Sequence, residues 1–342
     1  MRILLRSDHR YPIEDGCAAG LTTRREPSGA PQRIHDLLAR GLGELGHEVL
    51  YWLERGAGAP LPPGVVLSGG IGVPADIYHN VEDGRMPCVL TQHRMRDIER
   101  APDHWIFVSQ SLAELYGSKR FVRNGLDPAD YIYSETKDNY VLFLASMQGN
   151  ATRHKYLAKG LPVALALASE LGFRLVVAGT AQDEEILGIV KEMCRQAGVE
   201  FLGDVRGRAK AELIAGARAL LFPTQMHEGL PLVVIEALFS GTPVIASDFG
   251  PCPEVVTPEV GFICRDVEDY ARAIQDVGRI RPSDCRARGV ENHHYLTMAR
   301  SYVREYEIEA GRYGADRPVM DRPVKEEARD GQGAERIAVE SV

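Results

Sequence analysis

No stretch of this 342-residue chain stays apolar long enough to span a bilayer, no amphipathic basic helix stands out for surface docking, and the opening MRILLRSD turns polar too soon for a secretory leader; the expectation is a cytoplasmic protein without stable membrane insertion. Cysteine is sparse. The six thiols, at positions 17, 88, 194, 252, 264 and 285, form no C-x-x-C pair and no zinc-ligand spacing, which argues against a disulfide framework and leaves reduced thiols as the default. Positive charge is not in excess either: 40 Lys and Arg against 48 Asp and Glu give a net charge of −8, the opposite of a general nucleic-acid binder or a polybasic anchor. Neither a nucleophile elbow nor a Ser-His-Asp sequence occurs. Nothing in the pattern speaks to oligomeric state.

What remains is a hydrophobic content of 44% and a charged content of 26%, ordinary for a globular protein, on a chain long enough for two domains. Short apolar runs alternate with helical patterns throughout, which implies two α/β units with parallel sheets. Strands are expected near 3–6, 48–53, 77–79, 88–92 and 105–108, then near 141–145, 174–178, 200–202, 219–222, 243–246 and 260–263. Helices are expected over about 31–45, 111–116 and 299–312. The stretch RNGLDPADYIYSETKDNY, rich in turn residues and charge, divides the sets: residues 1–123, a linker over 124–139 with a tight turn at Asn124-Gly125, and 140–298. Residues 314–342, which repeat D-R-P-V and have little apolar content, read as a flexible tail. Gly41, Gly43 and Gly46 spell a formal G-x-G-x-x-G, but they follow a helix and precede a strand, the reverse of a dinucleotide site, and serve as C-cap and turn.

The most informative segment is MHEGLPLVVIEALFSG, residues 226–241. Glu236 is the single charge in a helix apolar on every side, and a lone buried carboxylate costs several kcal/mol unless something pairs with it. Pro231 suits the first helical position and Gly241 the left-handed cap, so the helix opens at Glu228-Gly229-Leu230, where free N–H groups and the helix dipole suit an anion. Glu228 and Glu236 are separated by seven residues, and the segment resembles the E-x7-E signature of retaining glycosyltransferases of family 4. The flanking runs VEFLGDVRGRAKAELIAGARALLFPT and GTPVIASDFGPCPEVV resemble the same family, over roughly residues 120–310, while residues 1–120 match loosely.

The resemblance implies an α/β protein of GT-B architecture: two Rossmann-like domains with parallel sheets facing a central cleft, the first for an acceptor, the second for a nucleotide sugar. It also implies that the helix over 299–313 returns to the first domain. Carried over, Glu228 approaches the donor sugar with Gly229 and Leu230 beside the phosphate, Glu236 holds the ribose, and Asp204 and Val205 after LGD lie near the base. Lys159, followed by Gly160, meets the diphosphate. The family's second cation, an arginine after the preceding strand, is replaced here by Ser146 or Met147; Arg153 in the insert QGNATRHKYLA is one substitute, with His154 and Lys155 as competitors. His93, after the CVLTQ strand, resembles the family's T-x-H position and is either a group facing acceptor or sugar or a structural histidine. His227 flanks the sugar pocket or the surface; Asp8 and His79 end neighbouring strands and either face the cleft or pack inside; Gly29, before the first helix, is either a glycine near the phosphates or the acceptor, or a plain loop residue. The pair His293-His294 reads as surface or packing.

No D-x-D sequence is present, so neither a metal nor any cofactor is expected beyond the nucleotide-sugar co-substrate. The expected activity is transfer of a sugar from a UDP-type donor to a small or oligosaccharide acceptor, in the manner of small actinobacterial enzymes that decorate oligosaccharide antibiotics of the avilamycin kind. Envelope or lipid-linked acceptors, phosphorylase or epimerase chemistry on the same fold, and a sugar-nucleotide-binding protein without turnover are the alternatives.

Overall fold

The computed structural model describes residues 1–7, 30–53, 61, 64–68, 73–81, 86–93, 95, 96, 98, 100–147, 155–180 and 183–313. Gly29, Arg153, Asp8, His154 and the tail over 314–342 lie outside the described residues.

The first sheet comprises β1 (Arg2–Ser7), β2 (Glu48–Leu53), β3 (Val65–Leu67), β4 (Ile77–His79), β5 (Cys88–Gln92) and β6 (Trp105–Phe107), all parallel, in the order β3-β2-β1-β4-β5-β6. With it go α1 (Ala30–Glu44) and α2 (Gln110–Glu114). The second sheet comprises β7 (Val141–Leu144), β8 (Leu175–Ala178), β9 (Glu200–Phe201), β10 (Ala219–Phe222), β11 (Val244–Ser247) and β12 (Gly261–Cys264), again all parallel. Its order read from one edge, β9-β8-β7-β10-β11-β12, is third, second, first, fourth, fifth, sixth strand of its own set, the same as in the first sheet. This is the doubly wound order, in which ligands bind beyond the carboxyl ends of the first and fourth strands, where the winding reverses. The remaining helices are α3 (Lys155–Ala158), α4 (Leu161–Leu171), α5 (Glu184–Gln196), α6 (Gly207–Gly216), α7 (Leu232–Phe239), α8 (Cys252–Val255), α9 (Val267–Asp276), α10 (Pro282–His293) and α11 (Tyr295–Tyr313).

The strands form where apolar residues run without alternation. VLFL, LVVA and ALLF in β7, β8 and β10 are buried at every position, as expected for parallel strands covered by helices on both faces. Each such Leu or Val contributes about 1.5–3 kcal/mol of burial. Strand β3 was not expected; it is a three-residue edge strand, and its exposed Val66 and Leu67 give it no two-sided pattern to read.

Helix α11 packs along α1 and against β5, so the end of the described chain lies on the first sheet. Gly41 is the contact point: a Cβ there would stand 2.8 Å from Ala299 Cβ. Gly41 and Gly43 are therefore interior residues of α1, Gly41 placed for close helix packing, and only Gly46, at φ +84°, serves as the turn. Asn124-Gly125 likewise is not a tight turn. The chain passes there in extended form, Leu126 bridges His294 in parallel, and a Cβ on Gly125 would meet His294 O and Tyr295 Cα at 2.8 Å. Glycine is needed because two passes of the chain touch. Farther along, Lys137 Nζ donates to Ala215 O, Ser240 O and Thr242 Oγ1 at 2.8, 3.1 and 3.0 Å, closing the carboxyl ends of α6 and α7 with one cation. Burial lowers this ammonium's pKa to about 8.

Candidate active site

The switch point of the second sheet, between β7 and β10, carries the Lys159 and Glu228 pair. The chain leaving β7 reaches Lys159 at the corner between α3 and α4; the chain leaving β10 reaches Glu228. The corner is fixed by Gly160, at φ +84°, where a Cβ would stand 2.0 Å from Pro223 O, and by Gln225 N donating to Ala158 O at 2.7 Å. These contacts press the corner onto the segment after β10, and Lys159 Nζ donates to Glu228 Oε1. Both side chains are about one-seventh exposed, at 14% and 15%. The ammonium also lies 5.8 Å from the Phe222 ring centroid. Behind the pair sits Cys252, whose thiol is pushed up to about 12 by burial, with the charge of Glu228 adding to the shift. A carboxylate and an ammonium held this way neutralise one another until a ligand offers each a better partner: hydroxyls for Glu228, phosphate oxygens for Lys159.

Glu236 does have partners, and they come from three elements. It is 4% exposed; Lys210 Nζ on α6 is 2.7 Å from Oε2, Tyr131 OH donates to Oε1 at 3.3 Å, and Arg33 Nη1 on α1 is 3.7 Å from Oε1. Arg33 also donates to Asp130 Oδ2 at 3.1 Å, so α1 is tied to the crossover segment directly above Glu236. Tyr131 and Lys210 further line a small cavity with Asp130, Gly207, Ala211 and Ile214. The loop bearing Asp204 and Val205 leads straight into that wall. Asp204 Oδ2 accepts from Arg206 Nε at 2.7 Å on the surface, Val205 packs on the core, and Gly203 O accepts from Gly179 N at 2.8 Å, which anchors the loop to the end of β8. Arg33, Tyr131 and Lys210 carried no sequence signal. Each is a single cation or aromatic on a face that reads as solvated, and only the fold converges them.

The third group lies where the two sheets' domains touch. A Cβ on Gly229 would stand 2.1 Å from His93 O and 3.1 Å from Val108 Cγ2, so the loop that starts at Glu228 rests directly on the main chain after β5. Leu230 is buried in the core and the His227 ring lies tilted against that of Phe249 with centroids 4.8 Å apart. The His93 ring lies 5.6 Å from that of His35. Asn80 Oδ1 accepts from Thr91 N at 2.8 Å, which turns Asn80 Nδ2 toward His35 Nε2 at 2.9 Å and makes that nitrogen the acceptor. His79 packs inside. It is fully buried, Nδ1 is 2.6 Å from Tyr306 OH, Nε2 is 2.7 Å from Thr91 Oγ1, and burial, helped by nearby His93, lowers its pKa to about 3. His293 is buried on Asn124 O. Ser146 is exposed and Met147 buried, which leaves no cation at the end of β7 itself. Among the described residues, no three His, Cys, Asp or Glu side chains are grouped to hold a metal ion, and no helix is long and apolar enough to cross a membrane.

Residues 138–278 match the family described as Glycosyl transferases group 1. Among curated proteins the chain is 26% identical over 162 residues to an uncharacterized glycosyltransferase of Methanocaldococcus jannaschii, covering 42% of this chain and 40% of that protein. It is 26% identical over 178 residues to the O-antigen chain mannosyltransferase RfbU of Salmonella typhimurium, covering 51% of this chain and 49% of that one. The matches thus span less than half the length of these relatives. Solved structures match more fully. AviGT4, a glycosyltransferase involved in avilamycin A biosynthesis, is 25% identical with a TM-score of 0.67 over 91% of this chain and 98% of its own. Anabaena HepE in complex with UDP and glucose is 15% identical, with a TM-score of 0.62 over 90% of this chain and 100% of its own. The chain thus has the two-domain GT-B fold, and its segment 138–278, which carries Lys159, Glu228 and Glu236, matches the group 1 glycosyl transferases.

Proposed function

We propose that this chain is a retaining family 4 glycosyltransferase that needs no metal and moves a sugar from a UDP-type nucleotide donor to a small or oligosaccharide acceptor held against the first domain. The observation that carries the reading is the Lys159 and Glu228 pair at the switch point of the second sheet, with the next residue, Gly229, against the main chain of His93 across the domain contact. In this reading the diphosphate replaces Glu228 on Lys159, and the donor sugar's hydroxyls replace Lys159 on Glu228. The glycosidic bond to phosphate breaks while the acceptor oxygen bonds to the same face of the sugar carbon. The acceptor proton passes to the departing phosphate, and Lys159 stabilises the charge that develops there. In this reading Glu236 takes the ribose, with the base toward Asp204 and Val205.

The structural likeness to AviGT4 supports an acceptor from antibiotic biosynthesis. A second reading has its own support: RfbU is an O-antigen chain mannosyltransferase, and a further relative, from Corynebacterium glutamicum, is a GDP-mannose-dependent mannosyltransferase, which favours a GDP-sugar donor and an envelope acceptor. A thermal-shift panel of UDP, GDP, TDP and ADP separates the two, because a nucleotide at a hundred times its Kd stabilises by about 2.7 kcal/mol. UDP alone raising Tm supports the first reading and GDP alone the second. Turnover of the matching sugar nucleotide, with anomeric configuration read by NMR, then tests transfer and retention; inversion or no turnover with any donor rejects the proposal.

A further inference from the structure

The turn that backs the Glu228 loop also reaches the other domain. Glu254, on α8, accepts from the main-chain N–H of Gln110 at 3.0 Å through Oε2 and from that of Ser111 at 2.6 Å through Oε1. Arg123 Nη2, just before the crossover, donates to the same Oε2 at 3.3 Å. The Gln110 and Ser111 N–H groups open α2 and have no acceptor within their own helix; Ser109 Oγ takes the next one, from Leu112 at 3.3 Å. A carboxylate of the second sheet's domain therefore completes a helix of the first, and its side chain is only 12% exposed.

The other end of this turn touches the Lys159 and Glu228 pair. Cys252 is fully buried within electrostatic range of both charges, and a Cβ on Gly250 would lie 3.6 Å from Glu228 N. One loop, residues 250–255, thus backs Glu228 on one side and grips α2 on the other. The strand and loop that lead into α2 supply Val108, which Gly229 also meets. The Gly229 contact with His93 and the Glu254 contact with α2 are two points of one domain junction.

We propose that Glu254 is a positioning residue: its bonds to Gln110 and Ser111 hold the acceptor-side domain at a set distance from the Glu228 loop, so that an acceptor on the first sheet meets the donor in one geometry. The kinetic consequence rests on the glycosyltransferase reading; the contact does not. The test uses the full chain with Glu254→Ala and, as the shape-preserving control against misfolding, Glu254→Gln. In amide hydrogen exchange without ligand, Gln110 and Ser111 should exchange about ten- to a hundredfold faster in Glu254→Ala, the change for loss of a hydrogen bond to a charged group. Glu254→Gln, with one acceptor oxygen, should protect one of the two. Equal exchange in all three proteins overturns the contact. In turnover, the acceptor kcat/KM should fall about tenfold in Glu254→Ala while the Kd of the stabilising nucleoside diphosphate stays within twofold, since only domain placement has changed. Glu254→Gln should recover part of that loss. A fall in nucleotide affinity equal to the fall in turnover, or no fall in either, overturns the positioning role. Absence of turnover in the wild type would reject the enzymatic reading and leave the exchange result to decide the contact.

Discussion

The main-chain carbonyl of His93 fills the space that a side chain on residue 229 would need: a Cβ on Gly229 would stand 2.1 Å from that oxygen. The glycine of the E-x7-E loop is thus fixed by contact between the two domains, in addition to anything a phosphate requires of it. Gly229→Ala must push the domains apart or bend the loop. Overpacking of this kind costs about 1–3 kcal/mol. The expected outcome is a lower urea midpoint together with an increased radius of gyration in solution scattering. An alanine variant of unchanged stability and unchanged dimensions would show that the two domains do not meet there.

Glu228→Gln keeps the shape of the site and removes its negative charge. Nucleoside diphosphate binding by titration calorimetry should be retained or improved, because Lys159 no longer has a carboxylate to leave, whereas turnover should fall by about a hundredfold or more. Lys159→Ala should lower turnover more than it lowers nucleoside monophosphate affinity. EDTA should leave both unchanged. Near-normal turnover of folded Glu228→Gln, or loss of activity on chelation restored by magnesium, would reject the roles assigned to these groups.

Glu236 has a more complicated expected response, since Lys210, Tyr131 and Arg33 already surround it. If ribose hydroxyls replace part of that set, Glu236→Ala weakens nucleotide binding by about 1.5–3 kcal/mol, the range for hydrogen bonds to a charged group. The mutation also leaves two cations without their carboxylate, so the affinity loss alone is ambiguous. A 2′-deoxynucleotide resolves it: the wild type should lose affinity for the deoxy compound and the variant should not, a coupling that general destabilisation does not produce. Equal losses in both proteins exclude the ribose contact.

Two histidines make folding sensitive to acid. His79 and His293 are buried, at 0% and 3% exposure, and burial lowers their pKa values from the ordinary 6.5 to about 3 and about 4. Between those values and 6.5 the unfolded chain binds protons that the folded chain does not. Stability is therefore complete above about pH 6.5 and is lost as pH falls, by about 2 kcal/mol per histidine at pH 5. His79→Gln, which keeps hydrogen-bonding groups for Tyr306 and Thr91, should reduce the slope of unfolding free energy by about 1.4 kcal/mol per pH unit between pH 5 and 6. An unchanged slope would mean that His79 is protonated in the folded protein or exposed to solvent.

Much of the fold was legible because parallel strands covered on both faces must be continuously apolar. The strands at 141–144 and 219–222 stand out for that reason, and the alternation with amphipathic helices yields the α/β class. Edge strand β3 was not legible, since three residues, one buried and two exposed, carry no period. Glycines misled where the chain meets itself. Gly41 and Gly125 look like cap and turn residues, yet each is required by a neighbour far away in sequence, Ala299 in one case and the 294–295 main chain in the other.

The sequence by itself determined the two-unit α/β organisation, the placement of Glu228 and Lys159 at helix openings, and the need for a partner at Glu236, because periodicity, capping and the cost of a lone buried charge are local properties. Who that partner is was decided only by tertiary structure. Arg33, Tyr131 and Lys210 are 203, 105 and 26 residues away from Glu236 in the chain and sit on three different elements. The same holds for Glu254 on the opening of α2, for His79 as a packed residue on α11, and for Gly229 on His93. Each joins elements that lie far apart in the chain and meet only in the packed fold. Short-range patterns cannot encode such contacts, since a cation or a glycine has the same local signature whether it faces water or another domain.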